Sequence, residues 1–332
     1  MRTLVTGASG FVGAGLMRHL LKCPAREIVL SFRGKRPPDH PRVLSVDSGE
    51  MGAATDWRSA LDGVSSVIHL AARVHIMRDT STDPLAEFRR VNVDGTLRLA
   101  RQCADAGVRR FVFVSSIKVN GETSPAGRPF RADDAPQPAD PYGISKFEAE
   151  GGLHELARAT GIEIVVVRPP LVYGPGVRAN FRTMMEWLRA RVPLPFRAID
   201  NRRSLVSLDN LCDLLLACEQ HPAAAGQTFL AGDGEDVSTP ELLRRLGLAL
   251  GRRATLMPIP PFLLRTSFGL LGKADVAQRL CSSLQVDISA ARTLLGWTPP
   301  IDLDEGLRRT AVAFLAESTH GHAKSQGHSD SR

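Results

Sequence analysis

Thr6-Gly7-Ala8-Ser9-Gly10-Phe11-Val12-Gly13 follows directly on the apolar run that opens the chain, and it leads into a helical apolar pattern over 11–22. Few features restrict a fold more. Gly7 permits a tight strand-to-helix turn, Gly10 lets backbone approach a pyrophosphate, and Gly13 lets the helix pack on the strand. Ser9, Phe11 and Val12 complete the loop and the first helical turn, whose unpaired N–H groups suit phosphate. The fingerprint therefore predicts a dinucleotide-binding βαβ unit at the start of the chain.

The pattern that follows agrees. Apolar runs at 3–6, 27–33, 42–47, 66–71, 110–115 and 162–168 read as buried strands. Helical stretches at 84–106 and 142–160 lie between later members. Continuous apolar strands separated by helices give an α/β, Rossmann-type, doubly wound parallel sheet. Aromatic residues are only 5% of the chain, so the core must be aliphatic, which suits covered parallel strands. Beyond Arg168 prolines cluster and the rhythm breaks. The expected organisation is a nucleotide-binding domain over 1–168, with 202–232 returning to it. A smaller mixed C-terminal lobe over 169–201 and 233–316 would hold the substrate, and 317–332 would form a disordered polar tail. Ser238 with Glu241 reads as a capping box, and 287–296 as a helix stopped at Gly296. The apolar stretch 261–272 reads as a core or interface helix.

The net charge is +7, but the arginines are scattered and form no run, so an anionic small molecule is expected rather than nucleic acid. Cys23, Cys103, Cys212, Cys218 and Cys281 show no paired spacing and read as reduced core thiols. No secretory leader pattern and no apolar run of membrane-spanning length is present, so a cytoplasmic protein without membrane contact is expected. No His/Cys spacing suggests a metal.

The second strand lacks the acid that would accept from an NAD ribose. Ser31-Phe32-Arg33 stands there, and Arg33 could face a 2′-phosphate, so NADP is slightly favoured over NAD. Asp47, ending the third strand, is placed to reach the adenine. Leu70, Ala71 and Ala72 leave room beside the fourth strand. His69 reads as a satisfied strand-end residue, while Arg73 and His75 follow it and could touch substrate or only cover the loop. Tyr142 and Lys146 share one helix face at i and i+4. An ammonium beside a phenol favours the phenolate, so Tyr142 can exchange a proton with a substrate oxygen while hydride moves on a nicotinamide. Ser116, just past the fifth strand, can hydrogen-bond the same oxygen.

Together these residues resemble the extended short-chain dehydrogenase/reductase family, and within it the nucleotide-sugar epimerases and reductases. The likeness covers about residues 1–316 and includes TGASGFVG, HLAA at 69–72, the 92–96 stretch Asn-Val-Asp-Gly-Thr, Ser115-Ser116 and YGISK at 142–146. It implies cofactor contacts from Asn92, Ser115, Tyr142, Lys146 and Pro169. It implies substrate contacts from Arg73, Ser116, Asn180 and Arg203, with Arg279 as a second phosphate-binding arginine. Leu171 and Asn210 depart from the family pattern, which has Asn and Asp there. SSIKVNGE and RPPLVYGPGV resemble UDP-sugar C4 reductases and epimerases of bacterial surface-polysaccharide pathways. The expected function is 4-keto reduction of a UDP-4-keto-6-deoxy-N-acetylhexosamine, as in O-antigen biosynthesis. The alternative is a UDP-glucose or UDP-N-acetylglucosamine 4-epimerase. The residues after Ser116, Ile117 and Lys118, lack the carboxylates a 4,6-dehydratase needs. Relatives pair two helices per subunit, so a homodimer is expected.

Overall fold

The computed structural model describes residues 1–34, 36–74, 83–125, 127–270, 278 and 280–326. Lys35, His75 and Arg279 therefore lie outside the described residues. The chain runs β1 (Arg2–Thr6), α1 (Phe11–Leu20), β2 (Glu27–Phe32), β3 (Val43–Asp47), α2 (Arg58–Leu61) and β4 (Ser66–His69). Then come α3 (Pro84–Arg89), a π turn at Arg90–Asp94, α4 (Gly95–Asp105), β5 (Arg110–Val114), α5 (Pro141–Thr160) and β6 (Glu163–Arg168). The second half contains β7 (Leu171–Tyr173), α6 (Ala179–Arg189), β8 (Arg203–Ser207), α7 (Leu208–Gln220), β9 (Thr228–Leu230), β10 (Asp236–Val237) and α8 (Thr239–Ala249). It closes with α9 (Pro261–Leu270), α10 (Ser289–Leu295) and α11 (Leu303–Gln326).

Seven strands form one sheet in the order β3-β2-β1-β4-β5-β6-β9, every neighbouring pair parallel. The order reverses between β1 and β4, which opens a crevice at the carboxyl ends of those strands. A second sheet, β10-β8-β7, mixes a parallel and an antiparallel pair. Within 202–232, β9 joins the large sheet as its edge strand, whereas β8 belongs to the small one.

Two aliphatic cores cover the two faces of the large sheet. One packs Val5, Ile68, Val112 and Val165 under α1 and α7. The other packs Val29, Val67, Phe111 and Val166 under α4 and α5, with Trp57 at its edge. A third cluster fills the smaller lobe around Tyr173, Phe181, Met185, Leu243 and Leu307. At 25 cal/mol per Å², each fully buried Val or Leu contributes roughly 1.5–3 kcal/mol, so the fold needs few aromatics.

Three features differ from the sequence expectations. Helix 84–105 is interrupted by the π turn, which carries Asn92 and turns that side chain fully inward. Ser238 caps α8 through the Glu241 amide, but the Glu241 carboxylate turns outward to Arg245 and Arg244, so only half of the capping box forms. α11 continues to Gln326, and Glu317 pairs with Arg182 of α6 at 2.7 Å. In α9, Leu264 is buried while Phe262 and Leu263 are exposed. Cys103, Cys212 and Cys218 are buried as expected, whereas Cys23 is exposed. No helix among the described residues is long and apolar enough to cross a membrane.

A crevice at the switch point as candidate active site

β1 ends at Thr6 and the chain turns sharply at Gly7, whose φ is +71°. A Cβ at Gly7 would stand 2.6 Å from the Ala71 amide nitrogen, and one at Gly13 would stand 2.2 Å from the Gly7 carbonyl oxygen. Both positions are closed to any larger residue. α1 begins at Phe11 with Gly10 as its N-cap, no side chain caps it, and no acid lies in its first turn. Its amides and dipole stay available at the mouth of the crevice. Ser9 and Gly10 are exposed there, and Phe11 and Val12 are half-buried. A cradle that a Cβ would fill, beside an uncapped helix start, fits a dinucleotide pyrophosphate.

The opposite wall comes from β4 and β5. His69 is fully buried, with Nδ1 2.7 Å from Thr6 Oγ1 and Nε2 2.9 Å from Thr96 Oγ1. Burial and the nearby Lys146 charge lower it to about 3, so it is a neutral structural residue and not a base. Leu70, Ala71 and Ala72 line the turn beyond it, half-buried. Asn92 donates to the Arg73 carbonyl and the Ser145 hydroxyl, both at 3.0 Å, and accepts from the Arg73 amide at 2.8 Å. These bonds tie Asn92, expected as a cofactor contact, to the end of the wall and to α5.

α5 starts at Pro141 under an Asp140 cap, whose carboxylate accepts from the Gly143 amide at 2.7 Å. Its first two turns carry Tyr142 and Lys146. The Lys146 ammonium donates to the Val114 carbonyl at 2.9 Å and lies 4.4 Å from the Phe113 ring centroid. Burial pulls it down to about 7, partly offset by Glu150. The Tyr142 ring meets Phe88 edge-on at 6.1 Å. Burial, and behind it the Asp140 carboxylate, pushes its phenol above the ordinary range. This differs from the acidified phenol expected from the i, i+4 pair. Desolvation dominates at the phenol, and the Lys146 ammonium is engaged by Val114 and Phe113.

β5 delivers Ser115 and Ser116. Ser116 caps a short 3-10 turn, Ile117–Val119, and the Ile117 amide is held by the Pro169 carbonyl at 3.0 Å. Ser115 Oγ is buried without a partner among the described residues, an open donor that suits a bound amide or hydroxyl. Behind α5, Arg168 and Glu150 form a buried bidentate pair, with Asn120 closing a further guanidinium bond at 3.0 Å. The structure thus brings Gly7, Gly13, Ala71, Ser116, Tyr142 and Lys146 to one end of the sheet.

The remaining expected residues are more dispersed. Arg33 is 72% exposed and 3.8 Å from Glu50. Asp47 is exposed and its carboxylate accepts from the Gly49 amide. Asn180 is exposed in the first turn of α6, and Arg203 on β8 donates to the Ser282 carbonyl at 3.1 Å. The Arg73 guanidinium lies over the Phe88 ring at 5.6 Å. Asn210, the departure from an expected Asp, is explained by its neighbours. Its amide nitrogen donates to Asp233 at 2.7 Å and to the Ile301 carbonyl at 2.8 Å, bonds a carboxylate there could not make. Sequence reading missed Asp233 and its bond with Tyr173, whose hydroxyl donates to Asp233 at 2.8 Å, because the two residues are distant in the chain.

A doubly wound parallel sheet with a glycine cradle at its switch point defines a dinucleotide-binding protein of the short-chain dehydrogenase/reductase type. The chain belongs to the NAD dependent epimerase/dehydratase family, whose profile matches residues 3–232. It is 45% identical over 314 residues to the UDP-glucose 4-epimerase of Vibrio cholerae, spanning 94% of this chain and 95% of that one. The structure of MoeE5 in complex with UDP-glucose and NAD is 26% identical, with a TM-score of 0.73 over 96% of this chain and 100% of that one. UDP-glucuronic acid 4-epimerase from Bacillus cereus in complex with NAD shares the fold, with a TM-score of 0.74 at 24% identity over 95% and 99% of the two chains.

Proposed function

We propose that the protein is an NAD-dependent 4-epimerase of a UDP-hexose, of the UDP-glucose type. The 45% identity to the Vibrio cholerae UDP-glucose 4-epimerase across nearly the whole of both chains carries this reading. The residues alone do not separate an epimerase from a 4-keto reductase, since both need Ser116, Tyr142 and Lys146. The feature that favoured an exchangeable NADPH, Arg33, faces Glu50 in the structure, which weakens the reductase reading.

The glycine cradle and the α1 N-terminus would hold the cofactor pyrophosphate, and Lys146 the nicotinamide ribose. When bound, the nicotinamide supplies reversible hydride acceptance from the sugar C4. Tyr142 takes the C4 hydroxyl proton as that carbon is oxidised and returns it after the sugar has turned over. Ser116 hydrogen-bonds the same oxygen and stabilises its developing charge. The Lys146 ammonium, once it faces the phenol and the ribose, favours the phenolate that the first step requires. Arg203, Asn180 and Arg73 would anchor the UDP-sugar, with Arg279 a further candidate for its diphosphate.

The test is incubation of the purified protein with UDP-galactose and no added cofactor, followed by separation of the UDP-sugars. Redox-neutral conversion to UDP-glucose is the expected result. Failure there, with consumption of NADPH on UDP-4-keto-6-deoxy-GlcNAc, would establish the reductase instead.

A further inference from the structure

Lys118 stands two residues after Ser116, and its atoms reach both halves of the site. Its backbone N–H donates to Ser116 Oγ at 3.2 Å. Its ammonium bonds the Asp140 carboxylate that caps α5, and it also meets Glu122 at 2.9 Å. The other Asp140 oxygen holds the Gly143 amide at 2.7 Å, one residue beyond Tyr142. The two segments are in close contact, since a Cβ at Gly143 would stand 3.1 Å from the Lys118 carbonyl oxygen.

We propose that Lys118 is a positioning residue for the proposed epimerisation, clamping the Ser116 turn to the first turn of the Tyr142 helix and neutralising the Asp140 carboxylate beneath the phenol. An N-terminal carboxylate suits the helix dipole but opposes negative charge on Tyr142. A lysine paired to it keeps the cap and removes the opposition. No other cation bonds Asp140 among the described residues. Around the phenol, α5 contributes Lys146, and the loop after β4 contributes Arg73 over Phe88. The Arg89 of α3 is closed by Glu148, and the Arg168 of β6 by Glu150.

The inference rests on the proposed function only for its catalytic arm. In that arm kcat and KM for UDP-galactose are followed against pH for wild type, Lys118→Met, Lys118→Arg and the double variant Lys118→Met/Asp140→Asn. Lys118→Met lowers kcat roughly tenfold near neutrality with KM little changed, and its acid limb moves up by about half a pH unit or more. Lys118→Arg retains the wild-type profile, and the double variant returns toward it. Unmoved limbs in Lys118→Met, or equal damage from Lys118→Arg, overturn the proposal.

The second arm needs no turnover. The chain has two tyrosines, and Tyr173 is buried with its phenol held far above the ordinary range by desolvation and Asp233. With ¹³Cζ-labelled tyrosine, the Tyr142 line moves to higher pH in Lys118→Met and to lower pH in Asp140→Asn. Superimposable curves for wild type and Lys118→Met refute the clamp. A wild type that leaves UDP-galactose untouched refutes only the proposed function.

Discussion

The Asn92 carboxamide donates to Ser145 Oγ at 3.0 Å, and Ser145 Oγ donates to the Tyr142 carbonyl at 2.8 Å. A two-step relay therefore joins the π turn to the backbone of Tyr142. The π turn matters because an extra residue in the helix rotates Asn92 inward, where it is fully buried. Its other bonds satisfy the Arg73 amide and carbonyl at the end of the opposite wall. Asn92→Ala removes all three of these bonds from a fully buried side chain, which costs about 2–4 kcal/mol. A loss of several degrees in melting temperature, with kcat reduced more than cofactor affinity, is expected by calorimetry and steady-state kinetics. Asn92→Asp keeps the acceptor but sets a carboxylate against the Arg73 carbonyl, and does no better.

Tyr142→Phe removes the phenol proposed to carry the C4 proton and leaves the ring contact with Phe88 intact. General acid–base catalysis of this kind contributes roughly 10²–10⁴-fold. The variant therefore keeps its melting temperature and bound cofactor, while epimerisation falls by at least about 10²-fold. Activity retained to within a few-fold would remove Tyr142 from the mechanism.

Gly7→Ala and Gly10→Ala separate folding from cofactor binding at the same loop. At Gly7 the backbone φ is +71° and the new methyl would collide with the Ala71 amide, 2.6 Å away. At Gly10 φ is −76°, and the nearest contact of a Cβ is 3.2 Å, to the Gly7 carbonyl oxygen. Gly7→Ala is expected to lose about 1–3 kcal/mol of stability together with the cofactor. Gly10→Ala is expected to fold as wild type but bind NAD more weakly, because the methyl stands where backbone must meet the pyrophosphate. Thermal melts beside fluorescence titration with NAD distinguish the two.

The large sheet was legible because its strands are continuous apolar runs, and the glycine spacing located the switch point. The Ser116, Tyr142 and Lys146 elements likewise lie where local pattern puts them, at strand and helix ends. What the sequence hid depends on contacts between distant segments. Tyr173 on β7 meets Asp233 after β9, and Lys118 meets Asp140 across a loop. Desolvation is equally invisible in a linear pattern, so the phenol was expected to be acidified when burial in fact raises it. The lean toward a reductase rests on Ser31 and Arg33, since the short motifs are shared by both activities, whereas likeness over 94% of the chain favours the epimerase.

His69 makes the resting fold sensitive to acid. Its ring is fully buried, its nitrogens are bonded to Thr6 and Thr96, and its pKa is lowered from 6.5 to about 3. Above pH 6.5 the ring is neutral in both folded and unfolded chains, so it imposes no penalty. Between 6.5 and about 3 only the unfolded chain takes up the proton, so stability falls with pH across that window. The slope from this one group approaches about 1.4 kcal/mol per pH unit. His69→Asn keeps a donor and an acceptor but cannot titrate. At pH 7.5 the variant is the less stable protein, since the amide fills the site less well. As the pH is lowered to 4.5 the wild type loses more, and the gap between their urea midpoints narrows. A gap that stays constant from pH 7.5 to 4.5 would mean that the folded protein protonates His69 as readily as the unfolded chain does.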